Sequence, residues 1–388
     1  MSQLKVNTIR HTGASSDAVT LASDGTCTAK VSNNLSNRNL IINGSYQINQ
    51  RGNQTGIGGS SVYTLDRWMH GRENGSNSTR WDISQTALAK TDLPYTAGHR
   101  NCMKLDCTTA SSNSGTNDTA YITQRIEGFN CSHLDWGNSG AKTLTLSFYA
   151  KTDGSTGVMC VSAYATKSYV KEVTLSNSWQ KFTVEIAGNT ADEIANSNAS
   201  GLQLMFVLHS GSDHEISAGS WSAGFDCATS NQVNFGSSTD NNIYITGVQL
   251  EVGDVATDFE HRTFADELLR CQRYYWKSYD YSVVPGTASD PGSIFGRNYH
   301  TTSKSQNPLD VRFPVPMRAI PTTVNGYAVH SGTIAKVSTD ASNAVSCDVE
   351  NTINDINMLG ERGFSSISTA SIPGTDFFGA HFTADAEL

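Results

Sequence analysis

Four stretches of this chain carry their large apolar side chains on alternate residues. In TLTLSFYAKT (143–152) these are Leu144, Leu146 and Phe148. In KFTVEI (181–186) they are Phe182, Val184 and Ile186, and in LQLMFVL (202–208) they are Leu202, Leu204, Phe206 and Leu208. IYITGVQLEV (243–252) closes the set, and VMCVSAYA (158–165) reads as the neighbour of the first stretch across an Asp153-Gly154 turn. A period of two is the mark of a strand with one buried face. Several such strands leave one economical solution, two sheets packed around a shared core. NLIINGSYQI (39–48), an apolar run broken by Asn43-Gly44, reads as a further strand, so residues 38–262 form a β-sandwich. The loops at 110–120 and 187–201 are rich in Gly, Asn and Ser, and no repeat indicates a solenoid.

Composition supports the same class. Of 388 residues, 37% are apolar and 16% charged, too little Leu, Glu, Lys and Ala for long amphipathic helices. The net charge of −9 argues against a nucleic-acid binder, which needs a basic footprint. MSQLKVNTIRHTG has neither an apolar run nor a cleavage pattern, and no stretch reaches 18 apolar residues. These features imply a soluble chain made in a cytoplasm, with no membrane insertion. The eight cysteines are widely and irregularly spaced, which suits reduced thiols on strand faces better than a disulfide framework.

Three further regions flank the sandwich. Within residues 1–37, AVTLASDGTCTAKV alternates Val19 and Leu21, then Cys27, Ala29 and Val31, around Asp24-Gly25, a hairpin signal. A lone hairpin with such small side chains is not stable in water, so this arm needs its own symmetry mates or a larger assembly. TFADELLRCQRYY (263–275) predicts a helix that opens on a capping-box-like Thr263-x-x-Asp266, with Phe264, Leu268, Cys271 and Tyr275 on one face. Residues 263–276 therefore link the sandwich to a smaller β-rich domain, 277–388. There LDVRFPVPMRAIPT (309–322) reads as a strand running into prolines, and FFGAHFTADAEL as a final strand. The fold class is all-β.

Chemistry-bearing residues are sparse. VQLEVGDVATDFEHR (248–262) gathers Glu251, Asp254, Asp258, Glu260 and His261. Gly247 and Gly253 punctuate it as a strand and exit turn, with Val252, Val255 and Phe259 inward and the carboxylates on the wet side or capping the helix. His209 and His214 in HSGSDHE read as an exposed polar loop. GxSxG, HExxH, P-loop and dinucleotide-binding patterns are absent. A glycosidase needs only two suitably placed carboxylates, so Asp213, Glu215, Asp254 and Asp258 stay open as acids. YYWKSYDYS (274–282) is the best binding candidate, with Tyr274, Trp276, Tyr279 and Tyr281 as rings on which a sugar could stack. The alternative is a domain-joining strand whose rings enter the core or an oligomer seam. The sequence calls for no cofactor and no metal.

Three blocks together resemble a family of bacteriophage virion proteins, tail fibre or minor structural proteins, many from marine cyanophage-like viruses. They are NLIINGSYQINQRG with YTLDRW (63–68), LSFYAKTDGSTGV with SNSWQKFTVEI, and IYITGVQLEVGDVATDFEHRTFADELLRCQRYY. The resemblance covers most of residues 1–280 and is weak over 280–370. It implies a jelly-roll sandwich akin to carbohydrate-binding modules, in a homotrimeric fibre. Residues 1–37 would anchor it to other virion proteins, and it would attach non-enzymatically to host cell-surface polysaccharide. Many such modules hold a calcium where the family pattern resembles NGxFE. Here Tyr46-Gln47 ends the NGSYQ segment and the acidic ligand is missing, so no calcium is expected. A capsid decoration protein and a glycan-cleaving depolymerase are the alternative functions.

Overall fold

The computed structural model describes the chain except residues 1–5, 16, 24, 26, 30–36, 60, 74–77, 113–114, 298–303, 341–348 and 373–376. Asp24, Val31 and Cys347 lie outside the described residues. The chain is all-β, with a jelly-roll-like sandwich at its centre. One sheet has six strands in the order Gln180–Ile186, Leu144–Asp153, Asn242–Val252, Asn101–Thr109, Arg80–Ala87 and Gln54–Ile57. The other has seven: Trp221–Ala223, Lys167–Leu175, Gly157–Tyr164, Ser200–Ser210, Thr119–Glu127, Met69–Glu73 and Val62–Tyr63. The alternating residues meet between the sheets. Phe148 of the first packs edge-on against Phe206 of the second at 5.0 Å and stacks on Phe182 at 5.3 Å, a contact geometry that adds to the burial of the rings.

The outer faces of the two sheets differ. On the seven-stranded sheet, a strap around residues 214–228 lies over Tyr121, Cys160, Val170, Met205 and Val207, and buries Cys227 and Ala228 against them. Its backbone is tied down by Gly219 N to Val170 O at 2.9 Å and Asp226 N to Ser168 Oγ at 2.8 Å. On the six-stranded sheet Lys104, Asp106, Lys151, Asp153, Asn242 and Tyr244 remain half exposed, whereas Tyr149, Thr246, Gln249 and Glu251 are buried, with His99 against Tyr149 and Thr257 and Glu260 bonded to Glu251 and Gln249.

The segment 39–50 is not a strand, contrary to its apolar pattern. Asn43 and Tyr46 have left-handed φ of 59° and 51°, and the chain coils through the core with Ile41, Tyr46 and Ile48 buried. A buried backbone needs partners, and side chains supply them. Asn39 Oδ1 accepts from Ile41 N and Leu250 N, Gln124 Oε1 from Ile42 N, and Asn43 Oδ1 from Ile48 N. Gly44 lies so close to the Val248 carbonyl that a Cβ there would collide with it. The run is apolar because it is buried, and the Asn-Gly pair turns it before a ladder can form.

The linking helix spans Phe264–Gln272 and is capped by Thr263 Oγ1 accepting from Asp266 N. Its inner face departs from expectation. Phe264 is exposed, with its ring edge-on to Tyr281, whereas Glu267, Cys271 and the following Tyr274 are buried. The reason is the Glu267 carboxylate, which accepts from Asn43 N and pairs with Arg262, turning the helix by its polar side. Tyr275 belongs to the next strand, Tyr275–Lys277. Among the described residues no helix is long and apolar enough to cross a membrane.

The third sheet is built around the strand Phe377–Asp385, which pairs with Tyr275–Lys277, Ile294–Arg297, Thr323–Ala328 and Lys336–Asp340. Val349–Asn357, Gly363–Ile372 and Lys304–Arg312 continue it. The proline-rich 313–322 leaves the strand after Arg312, since prolines supply no ladder N–H. In the N-terminal arm, Val19–Leu21 pairs with Cys27–Ala29 and with Thr8–Ile9, leaving Ile9 and Leu21 exposed.

Candidate functional site

The carboxylate-rich segment 248–262 is structural. Glu251 is buried and accepts from Thr257 N, Thr257 Oγ1 and Gln249 Nε2. Glu260 accepts from Asn39 N and pairs with Arg262 at 3.0 Å. Asp254 and Asp258 are exposed, and so is Val255 at 64%, which overturns its inward assignment. Gly253 starts the turn away from the sheet with φ 123°, so the alternation ends before Val255. His209 is buried on the strand Ser200–Ser210 beside Asp118, not on an exposed loop. His214 is half-buried and bonds the Phe225 carbonyl within the strap. Asp213 is exposed and Glu215 half-buried on the short turn before it. Among the described residues no three His, Cys, Asp or Glu side chains cluster as metal ligands.

Three of the four predicted sugar-stacking rings are inside the protein. Tyr274 is covered by the Arg67 guanidinium 3.4 Å from its ring centre. Trp276 packs on Phe313 in the core of the third sheet, and Tyr279 stacks flat on His381 at 3.7 Å. A ring without an exposed face offers no stacking surface, so these residues are joint and core residues. Tyr281 is 36% exposed, yet its hydroxyl is already tied to Asn49 N and Gln47 O. Lys277 holds the same turn by donating to the Tyr281 and Val283 carbonyls, and burial lowers its amine to about 8.

The aromatic segment instead contributes to a cleft of about 330 Å³ between the sandwich and the third sheet. The sandwich supplies Arg51, Gln54 and Tyr63, and the third sheet supplies Tyr275, Thr323, Asn325, Tyr327, Thr383 and Asp385. Register explains the second group: Asn325 lies opposite Thr383, and both Tyr275 and Thr323 lie opposite Asp385. Arg51 sits between the halves. Its guanidinium lies 3.7 Å over the Tyr275 ring and 5.4 Å from that of Tyr63, and it pairs with Asp385 at 2.9 Å and Glu387 at 3.2 Å. Burial alone would lower the Arg51 guanidinium, but Asp385 and Glu387 outweigh it and raise it above its usual value. Burial, reinforced by Glu387, raises the Tyr63 hydroxyl, so it stays a neutral donor, here to the Leu388 carbonyl at 2.6 Å.

Deeper in the same junction lies a fixed ionic clasp. Glu387 is buried between Arg67 and Arg51, and burial raises its carboxyl despite both cations. Arg67 also donates to the Arg125 carbonyl, and Arg318 donates to the carbonyls of Ala386, Glu387 and Asn198. Arg273 binds Glu127 through two bonds of 2.8 Å. The cleft therefore has a rigid floor, half-exposed Tyr63 and Tyr327 at its walls, and amide, hydroxyl and carboxylate groups between them. Aromatic faces with a few oriented polar groups suit a polyhydroxylated ligand.

Sequence reasoning placed Tyr275 in the 274–282 stretch but not among its candidate rings, and missed Arg51, Gln54, Tyr63, Asn325 and Tyr327. These come from distant segments, and the junction that joins them has no local signature. Arg51 and Tyr63 do lie in the NQRG and YTLDRW stretches.

No family model matches the chain, and no curated protein matches it. Among solved structures, the enzymatically active domain of bacteriophage CBA120 tailspike protein 4 aligns with 55% of this chain at 13% identity and a TM-score of 0.29; the chain spans 21% of that structure's length. The CBM22-1 xylan-binding domain of Paenibacillus barcinonensis Xyn10C aligns over 59% of this chain and 100% of its own, at 7% identity and a TM-score of 0.28. TmCBM61, solved with β-1,4-galactotriose, aligns over 56% and 99%, at 9% identity and a TM-score of 0.26.

Proposed function

We propose that this chain is a virion attachment protein, a tail fibre that binds host-surface glycan in the cleft between its sandwich and its third sheet and does not cleave it. The cleft carries the reading. It combines two half-exposed tyrosine rings with uncharged and charged hydrogen-bonding groups on two rigid sheets. The three sequence blocks that resemble phage virion proteins support the setting, and residues 1–37 would dock the chain to other virion proteins.

Tyr327→Ala removes a half-exposed ring from the cleft wall; stacking of a nucleic-acid base on such a ring is worth about 1–3 kcal/mol, which sets the scale for a sugar face. The expected result is a loss of roughly tenfold or more in affinity for host surface polysaccharide, read by affinity electrophoresis, with an unchanged near-ultraviolet circular dichroism spectrum. Equal binding by the variant rejects the cleft. Release of reducing ends from the same polysaccharide rejects the non-enzymatic reading.

The proposal includes a homotrimer. On the linking helix Leu269 is 42% exposed beside a groove it shares with Val315, Pro316, Arg270 and Arg273. A second copy packed there would cover this side chain, and three identical clefts on one fibre would bind with avidity. Light scattering at micromolar concentration should give the mass of three chains, and Leu269→Asp should shift it to one chain without loss of the folded spectrum. A wild-type mass of one or two chains rejects the assembly.

A further inference from the structure

We propose that the open half of the outer face of the six-stranded sheet is a self-complementary surface that pairs two copies of this chain face to face. The pairing needs neither the cleft nor the trimer.

Register arranges this half in two rows. Lys151, Tyr244, Lys104 and Ser84 lie side by side across four strands. Two residues along each strand, Asp153, Asn242, Asp106 and Asp82 form the second row. The strands alternate in direction, so the order on each must reverse to keep the rows pure, and it does. Lys precedes Asp at 151–153 and 104–106, whereas Asn precedes Tyr at 242–244 and Asp precedes Ser at 82–84. All eight side chains are half exposed. On one flank of the array Tyr149 and Thr246 are buried, with His99 packed against Tyr149. On the other flank the sheet ends, since Asp153 closes its strand and Asn242 opens the next.

Such an array fits itself. A two-fold axis in the plane of contact, running between the rows and along them, sets the first row of each copy over the second row of the other. Lys151 then faces Asp153 of the second copy, Tyr244 faces Asn242, Lys104 faces Asp106 and Ser84 faces Asp82. Lys104 and Asp106 are already paired within the chain at 2.8 Å, and Lys151 and Asp153 at 3.4 Å. Face to face, each pair becomes a square of four charges alternating in sign. The Tyr244 hydroxyl gives its proton to Asp153 at 2.9 Å, so its oxygen accepts from the facing Asn242 amide. Asp82 accepts from Gly56 N with one oxygen and offers the other to the facing Ser84 hydroxyl. The same axis carries the raised cover over Tyr149 past the end of the other sheet, so it does not hold the faces apart. A partner of one sign would meet Lys104 and Lys151 beside Asp82, Asp106 and Asp153, whereas a second copy meets each lysine with an aspartate. Strands about 5 Å apart and rows about 7 Å apart give a patch of roughly 300 Å² on each copy, well under the ~800 Å² of a stable interface. The pairing is therefore weak, absent at the micromolar concentrations that read the trimer, and formed where copies are held close together.

The test uses the full chain carrying Leu269→Asp, which separates this face from the helix seam. Sedimentation velocity from about 10 µM to about 1 mM, in about 20 mM salt, should show a species of twice the starting mass that dominates at the upper end. About 500 mM salt should weaken it tenfold or more, because charges are then screened within about 4 Å. Asp106→Lys and Lys104→Asp should each weaken self-association tenfold or more, since like charges then face each other across the axis. Mixing these two variants should restore pairing between one chain of each kind. The double variant, Lys104→Asp with Asp106→Lys, should restore it within one kind of chain. Circular dichroism checks that each variant is folded, and should either unfold, Lys151→Asp and Asp153→Lys read the same array. Constant mass up to the highest concentration leaves the face to a different partner and overturns the proposal. Association indifferent to the single variants, or no recovery in the mixture, overturns it as well.

Discussion

Arg67→Met should destabilise the protein by about 3–5 kcal/mol, the cost of leaving a buried carboxylate without its main partner. Arg67 is buried, donates to Glu387 and to the Arg125 carbonyl, and lies over the Tyr274 ring. Methionine keeps much of the length and apolar stem but none of the charge. The left-handed backbone at this position, φ 71°, strains both residues alike, so the difference reads the ion pair. Arg51 still reaches Glu387 at 3.2 Å, which places the expected loss toward the lower part of the range. Urea unfolding with a double-mutant cycle is the measurement. Arg67→Met with Glu387→Met should recover a substantial part of the loss, because an apolar pair no longer strands a charge. A loss under about 1 kcal/mol in the single variant would show that water reaches the clasp and that it does not hold the two parts together.

The second large effect is with pH. His70 and His99 are both buried, and both titrate at about 4 in the folded chain. For His70 burial is the main cause, followed by His209 and Arg72 and opposed by a bond to the Gly59 carbonyl at 3.0 Å. For His99 burial again leads, followed by His261, Arg100 and Lys181; its Nδ1 meets the Ser45 hydroxyl at 2.8 Å, and Tyr149 and Phe259 close over the ring. A base whose folded value is depressed stays neutral while the unfolded chain takes up a proton below about 6.5. Stability is therefore level above that value and falls as pH drops from about 6.5 to about 4, by roughly 3 kcal/mol for each ring at the lower end. Glu260, held below its ordinary value by Asn39, Arg262 and Asn37 against its burial, adds to the loss as pH falls further, below the histidine window. Unfolding free energies at pH 7, 6, 5 and 4 should decline within the window, with His70 and His99 together contributing up to about 2.7 kcal/mol per unit, against which the raised carboxyls of Asp66 and Glu387 act; His99→Gln should remove about 1.4 kcal/mol per unit of the slope. A flat profile from 6.5 to 5 would mean that neither ring is held neutral.

The strands of the sandwich were legible because alternation is a local property, and Leu144, Leu146, Phe148, Leu204 and Phe206 all enter the core it predicts. Where burial is satisfied by side chains rather than by a ladder, the pattern misleads. Ile41 and Ile48 read as strand residues, but their backbone bonds go to Asn39 and Asn43. Phe264 reads as a core residue, but a buried Glu267 sets the helix orientation, and no periodicity of apolar residues records a carboxylate that finds two partners. The same limit applies to the cleft. The cluster 274–281 was visible, but whether a ring faces sugar or core depends on what Arg67, Phe313 and His381 do, and these lie tens to hundreds of residues away.

The strand Phe377–Asp385 has a consequence for how the molecule reaches its native state. Tyr275 pairs with Asp385, Thr323 with the same residue, and Ser338 with Gly379, so every partner of this strand lies far from it along the chain. Lys336–Asp340, Val349–Asn357 and Gly363–Ile372 pair as successive neighbours along the chain, but Phe377–Asp385 cannot join its own partners by adding adjacent hairpins. Each pairing closes a long loop first and is rewarded afterwards, which makes topology the slow variable. The sandwich, with its adjacent antiparallel strands such as Gly157–Tyr164 and Lys167–Leu175, has short routes to its first contacts. The sandwich half of the cleft, Arg51 and Tyr63, is therefore expected to take shape before the half that Phe377–Asp385 organises, which would make the proposed binding cleft a late product of folding.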